Sequence, residues 1–181
     1  EGSAPIYYIN GNHEWGGKLT ERMKTLMEKY GARCLSNEFE SFEKDGASIV
    51  ICGAEDKNGP ADMMKPYALA ESLRQQHPED FVLWLYHRND TILNYPKLPV
   101  DLVLSGHAHG GLIRLPFTDG LIGVERNLFP SYTHGFYEDN GSTLFVNTDN
   151  EVLYFLNLNG FTQPVGSKAA VTVMDLPEAE P

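Results

Sequence analysis

Positive charge is scarce in this chain. Its 181 residues include 14 Lys and Arg against 25 Asp and Glu, a formal net charge of −11. Binding a nucleic-acid backbone takes clustered Lys and Arg, and no basic run or stripe occurs here. A nucleic-acid partner is therefore not expected. An acidic balance instead suits a site whose charge is offset by bound divalent cations. Cysteine is almost absent too. Cys34 and Cys52 do not have the spacing of a metal-binding pair. Cys52 ends the apolar run Ser48-Ile49-Val50-Ile51-Cys52 and reads as a small buried hydrophobe, which favours a reducing compartment. No apolar run reaches the roughly 18 residues needed to cross a bilayer, and the N-terminus does not read as a signal peptide. Internal repeats and low-complexity segments are also missing. These absences point to a cytoplasmic location, or to membrane association only through an anchor upstream of this chain.

Forty-one per cent of the residues are hydrophobic, enough for one domain with a sizeable core. Residues 1–176 read as that single domain and residues 177–181 as a frayed tail. The stretch Leu102-Val103-Leu104-Ser105-Gly106-His107-Ala108-His109-Gly110-Gly111 organises the rest. Three aliphatic residues form a buried strand, and the small residues that follow turn the backbone. In an extended loop, histidines at i and i+2 point to opposite sides. His107 and His109 could then face two different ions, or one ion and a substrate. An exposed polar turn that happens to hold two histidines is the plainer reading of this stretch alone.

The same pattern recurs along the chain. Ile6-Tyr7-Tyr8-Ile9 is a short strand that runs into the glycine-punctuated loop Asn10-Gly11-Asn12-His13-Glu14-Trp15-Gly16-Gly17. Lys18 to Lys29 has helical spacing, with Leu19, Met23, Leu26 and Met27 on one face, and stops at Gly31. After a short strand at Ala32 to Leu35, Phe39 to Phe42 and Ser48 to Cys52 pair as a hairpin around Lys44-Asp45-Gly46. Ala54 to Lys65 reads as a polar loop and Ala68 to Gln76 as a second helix. Phe81 to Tyr86 is the strongest strand, and His87 and Arg88 follow it at once. Arg88 could be a surface residue or a phosphate contact. Beyond Gly111, strands are expected at Leu112–Leu115, Leu121–Val124, Thr143–Val146, Val152–Leu158 and Ala169–Met174. Tyr7, Tyr8, Phe81 and Trp84 are expected in the core, and His77 and His134 at the surface.

Three strand ends thus deliver Asn12 and His13, then His87, then His107 and His109. In a sheet whose strands share a direction, all three loops lie on one rim, where open α/β sheets place their sites. An Asn amide oxygen beside imidazoles suits Mn²⁺, Fe²⁺ or Zn²⁺. His13 could orient a phosphate or protonate a leaving oxygen, with Glu14 as its partner. For His87, capping the strand is the simpler alternative.

Gly11-Asn12-His13-Glu14, then His87, then Gly106-His107-Ala108-His109, in this order, resemble the later motifs of the calcineurin-like metallophosphoesterases. The run Gly106 to Pro116 is similar to a bacterial branch that includes membrane-associated phosphodiesterases. The resemblance implies an α/β fold of two β-sheets packed face to face with helices outside, a four-layer sandwich. It implies metal-dependent hydrolysis of a phosphomonoester or phosphodiester, on a small substrate of lipid- or nucleotide-linked type. Asn12, His87 and His107 match ligands of the second of two divalent metals (Mn, Fe or Zn), and His109 matches a ligand of the first. His13 matches the catalytic histidine beside the substrate phosphate. In the family, two ions about 3.5–4 Å apart bind the phosphate and activate a bridging hydroxide.

Two departures go with the match. The family's earlier Asp-x-His and Gly-Asp-x-x-Asp motifs do not occur, so the chain reads as the C-terminal portion of such an enzyme, without its first strands and helices. By itself it would then be inactive, with His109 the lone protein ligand at the first metal. After Phe145-Val146, the segment Asn147-Thr148-Asp149-Asn150 stands where the branch has a glycine-rich turn. The alternative is a non-enzymatic scaffold or binding module that keeps the fold.

Overall fold

The computed structural model describes residues 5–44, 46–90, 98–113, 120–139 and 141–147. The expected strands at 152–158 and 169–174, the tail at 177–181, Asp45 and Arg114 lie outside the described residues. In chain order the elements are β1 (Ile6–Tyr8), α1 (Asn12–Gly16), α2 (Thr20–Lys29), β2 (Ala32–Cys34), β3 (Glu38–Lys44), β4 (Ala47–Ala54), α3 (Pro66–Gln76), β5 (Phe81–Tyr86), β6 (Leu102–Ser105), β7 (Gly135–Asp139) and β8 (Ser142–Val146).

Alternation along the strands builds the layers. In β4, Val50, Cys52 and Ala54 turn to one face, and so do Val82, Trp84 and Tyr86 of β5, Val103 of β6, and Leu144 and Val146 of β8. Leu69, Ala70 and Leu73 of α3 pack on that face. Pro66, whose fixed φ suits a first turn, opens α3. Ile51, Leu83 and Leu85 point the other way, against Leu35, Tyr7 and Ile9 from the β1–β2 side. Gly53 makes that approach close: a Cβ there would lie 2.4 Å from Leu35 Cβ and 2.8 Å from Ile9 Cγ2. Next to β2 in sequence, α2 meets the small sheet, with the Cys34 thiol 3.7 Å from the Lys24 carbonyl. Helix, sheet, sheet and helix therefore stack in four layers, the expected α/β sandwich.

Six strands form the larger sheet, in the order β3-β4-β5-β6-β8-β7. Its four central strands are parallel, and the edges β3 and β7 are antiparallel. The hairpin of β3 and β4 is longer than the sequence suggested, pairing Glu38 with Gly53 through Lys44 with Ala47.

Several expectations are corrected. The loop at Asn12 is a short helix, capped as Glu14 Oε2 accepts the Gly11 N–H at 2.8 Å. The segments at 112–115 and 121–124 are not strands among the described residues. They carry only the isolated bridges Ile113–Ile122 and Ile122–Leu128. Strand β7 was not foreseen, because Gly135-Phe136-Tyr137-Glu138-Asp139 shows too few apolar residues to flag it. Phe81 is 42% exposed because it opens β5 at the sheet's margin, whereas Trp84 is fully buried. His77 is half-buried at the surface: it ends α3, stacks edge-on against Phe39, and lies 2.8 Å from Asp80. Among the described residues, no helix is long and apolar enough to cross a membrane.

Candidate metal centre

The parallel strands β4, β5, β6 and β8 all end on one edge of the large sheet, and His87 and His107 follow β5 and β6 there. Asn12 arrives differently. Its strand, β1, belongs to the small sheet, so the three loops meet across the two sheets instead of along one rim. The sheet-to-sheet packing at Gly53 is what brings them together. Gly11 then lets α1 approach, since a Cβ on it would lie 2.9 Å from His87 Cγ.

Three side-chain atoms converge as a result. His87 Nε2 is 2.7 Å from Asn12 Oδ1 and 3.2 Å from His107 Nδ1. The two rings meet edge-on with centroids 4.9 Å apart. Burial drives the His87 pKa down to about 4, helped by the neighbouring His107 and Arg88 and opposed by Asp56. The His107 pKa is lowered as well, by burial first and then by Arg88. Both imidazoles are thus neutral at pH 7 and present lone pairs, as metal ligation requires. Asn12 Oδ1 only accepts hydrogen bonds, and His87 Nε2 cannot donate to both neighbours at once. A cation placed among the three atoms satisfies all of them. The donor set therefore fits one borderline divalent ion.

The far side of His107 is also held. Its Nε2 lies 3.3 Å from Arg88 Nη1 and 3.7 Å from Glu125 Oε1. Arg88 is buried, donating to Asp56 at 2.7 and 3.2 Å and to Glu125 at 2.8 Å. Asp56 has no exposed surface, so this is a buried, doubly bonded ion pair rather than a surface arginine. Sequence reading took residues 54–65 for a polar loop and missed Glu55, Asp56 and Glu125. The available signal was a pair of acids directly after a buried strand.

His13 sits on α1 next to Asn12, exposed, and close enough to His87 to disfavour its protonation. His109 is half-buried, and among the described residues no hydrogen bond joins it to the cluster. The loop itself is not extended: His107 has φ 66° and His109 φ 53°, both left-handed, followed by Gly110 and Gly111 at 66° and 95°. Left-handed turns, not strand-like alternation, separate the two side chains. Among the described residues, no three His, Cys, Asp or Glu side chains gather closely enough to hold a metal. The cluster consists of two histidines and an asparagine.

The chain resembles several curated bacterial proteins. It is 32% identical over 140 residues to an uncharacterized metallophosphoesterase of Bacillus subtilis, YkuE, covering 77% of this chain and 46% of that one. A second from the same organism, YkoQ, is 25% identical over 170 residues, covering 92% of this chain and 58% of that one. An uncharacterized metallophosphoesterase of Campylobacter jejuni, Cj0846, is 30% identical over 165 residues, covering 85% and 42%. Among solved structures, the Haemophilus influenzae NAD nucleotidase matches with a TM-score of 0.51 at 18% identity, covering 78% of this chain and 33% of that one. That likeness shows the fold alone. No family model matches. The chain spans about half the length of the curated relatives it matches.

Proposed function

Because this chain belongs to the metallophosphoesterase family, we propose that it provides one half of the active site of a metal-dependent phosphohydrolase. The carrying observation is the convergence of Asn12 Oδ1, His87 Nε2 and His107 Nδ1 from three distant segments. These three residues would hold one divalent ion (Mn²⁺, Fe²⁺ or Zn²⁺), and His109 would help hold a second. When bound, two such ions supply Lewis acidity and lower the pKa of a water that they share.

The chain's own groups do the rest. Asn12 and His87 bind and orient, Asn12 from the start of α1 and His87 directly after β5. Glu125 faces the outer nitrogen of His107, and with the ring proton on that Nε2 the Nδ1 lone pair is free to point inward. His13, exposed on α1 beside Asn12, can reach a substrate at the rim. There, as the imidazolium, it would donate to a phosphate oxygen and pass that proton to the departing alkoxide, ending as neutral imidazole. The substrate class that fits is a small phosphate ester, because the acidic chain offers no basic track for a nucleic acid.

The test uses the full-length gene product. With Mn²⁺ it should hydrolyse p-nitrophenyl phosphate or its bis(p-nitrophenyl) diester, whose comparison separates monoesterase from diesterase. Chelation or His107→Ala should abolish turnover. Metal-independent hydrolysis, or full activity in His107→Ala, would refute the reading. A folded protein that binds no metal and cleaves neither ester would instead be a scaffold that keeps the fold.

A further inference from the structure

Glu55 is a buried acid that the metal cluster does not use. Its residue is 2% exposed, and it follows β4 at the edge where the site lies. Both carboxyl oxygens are engaged. Oε1 accepts from Asn10 Nδ2 at 2.9 Å, and Oε2 accepts from Trp15 Nε1 at 2.6 Å. Its backbone N–H in turn donates to Asn37 Oδ1 at 2.9 Å, which fixes the end of β4. Asn10 and Trp15 bracket the segment that holds Asn12 and His13. A single side chain on the large sheet therefore grips both ends of the turn that the small sheet contributes.

We propose that Glu55 is a positioning residue: by bonding Asn10 and Trp15 together, it sets Asn12 and His13 against His87 and His107. The inference rests on the proposed metal site and adds what keeps its two halves in register. Helix α1 has only five residues and buries none of them, so its own packing cannot fix its place. Two short hydrogen bonds to a buried carboxyl group can, because breaking either leaves a polar group unsatisfied away from water. Gln at this position presents one acceptor oxygen and one NH₂, so it can satisfy only one of the two donors.

The test compares Glu55→Gln, Trp15→Phe and the double variant in the full-length protein. Zn²⁺ affinity is read by competition with a chromophoric chelator, and kcat and KM are read on p-nitrophenyl phosphate. Zn²⁺ affinity should fall tenfold or more in each single variant, as for other groups that orient metal ligands. The fall should appear in kcat, with KM within about twofold, and the double variant should be no worse than either single one. Leu73→Ala, in the core on the opposite face of the large sheet, is the control for stability alone. It should lower Tm with Zn²⁺ affinity unchanged. Wild-type affinity in both single variants would overturn the inference while leaving the metal site intact. Should Glu55→Gln fail to fold, Trp15→Phe decides by the same criteria. A wild-type protein that binds no Zn²⁺ would overturn the metal site and this inference with it.

Discussion

Asn12 Oδ1 and His87 Nε2 are 2.7 Å apart across 75 positions of sequence, one on the small sheet's side and the other at the end of β5 in the large sheet. The contact joins an amide oxygen, which only accepts, to a ring nitrogen whose role depends on the tautomer, in a part-buried cluster. In the proposed site a cation joins the two, and the first expectation concerns that cation. Asn12→Ala, His87→Ala or His107→Ala should each weaken Zn²⁺ binding at least tenfold, about 1.4 kcal/mol. Isothermal titration on chelator-treated protein measures it. Equal affinity in all three would separate the cluster from metal binding.

Gly11 packs directly against the His87 ring, with no room for a side chain. In Gly11→Ala the new methyl would stand 2.9 Å from His87 Cγ, so the ring or helix α1 must move. Overpacking of this kind costs about 1–3 kcal/mol. A lowered Tm together with weakened Zn²⁺ binding is expected, the second because the ring that moves carries a proposed ligand atom.

Gly53 sets the distance between the sheets. A Cβ there would fall 2.4 Å from Leu35 Cβ, well inside contact, and Leu35 is itself buried. Gly53→Ala should destabilise the fold by about 1–3 kcal/mol or more. Denaturant unfolding should show it as a lowered midpoint. An unchanged midpoint would mean that the sheets can separate freely.

Burial pushes the Cys52 thiol up to about 12, from 9.0. The folded state therefore retains its proton between about pH 9 and 12, where the unfolded chain gives it up. This contribution to stability is complete below pH 9 and is lost as pH rises toward 12. At pH 8, a disulfide reagent should label Cys52 only after unfolding. Rapid labelling of Cys52 in the folded protein would contradict its buried position.

Much of the fold was legible because buried strands print themselves as apolar runs. Phe81 to Tyr86 and Leu102 to Leu104 read as strands and are strands. Helix α3 starts at Pro66, two residues before the apolar spacing shows it. The ligand-type residues were legible for a related reason: they directly follow those strands. Less visible was anything set by the third dimension. Period-two patterning cannot tell one sheet from another, so β1 read as sharing one sheet with β5 and β6 although it lies in the opposing sheet. Nor can it anticipate left-handed φ at non-glycine residues such as His107 and His109, which tertiary contacts impose. The acids at 55 and 56 looked like loop residues because their partners, Asn10, Trp15 and Arg88, lie 32 to 45 positions away.

The central claim is that Asn12, His87 and His107 share a metal ion. Anomalous diffraction at the zinc edge, from crystals of the full-length protein grown with Zn²⁺, tests it most directly. The account predicts a peak about 2.0–2.2 Å from Asn12 Oδ1, His87 Nε2 and His107 Nδ1 together. Zinc bound elsewhere, with these three side chains still in mutual contact and no peak between them, would contradict it.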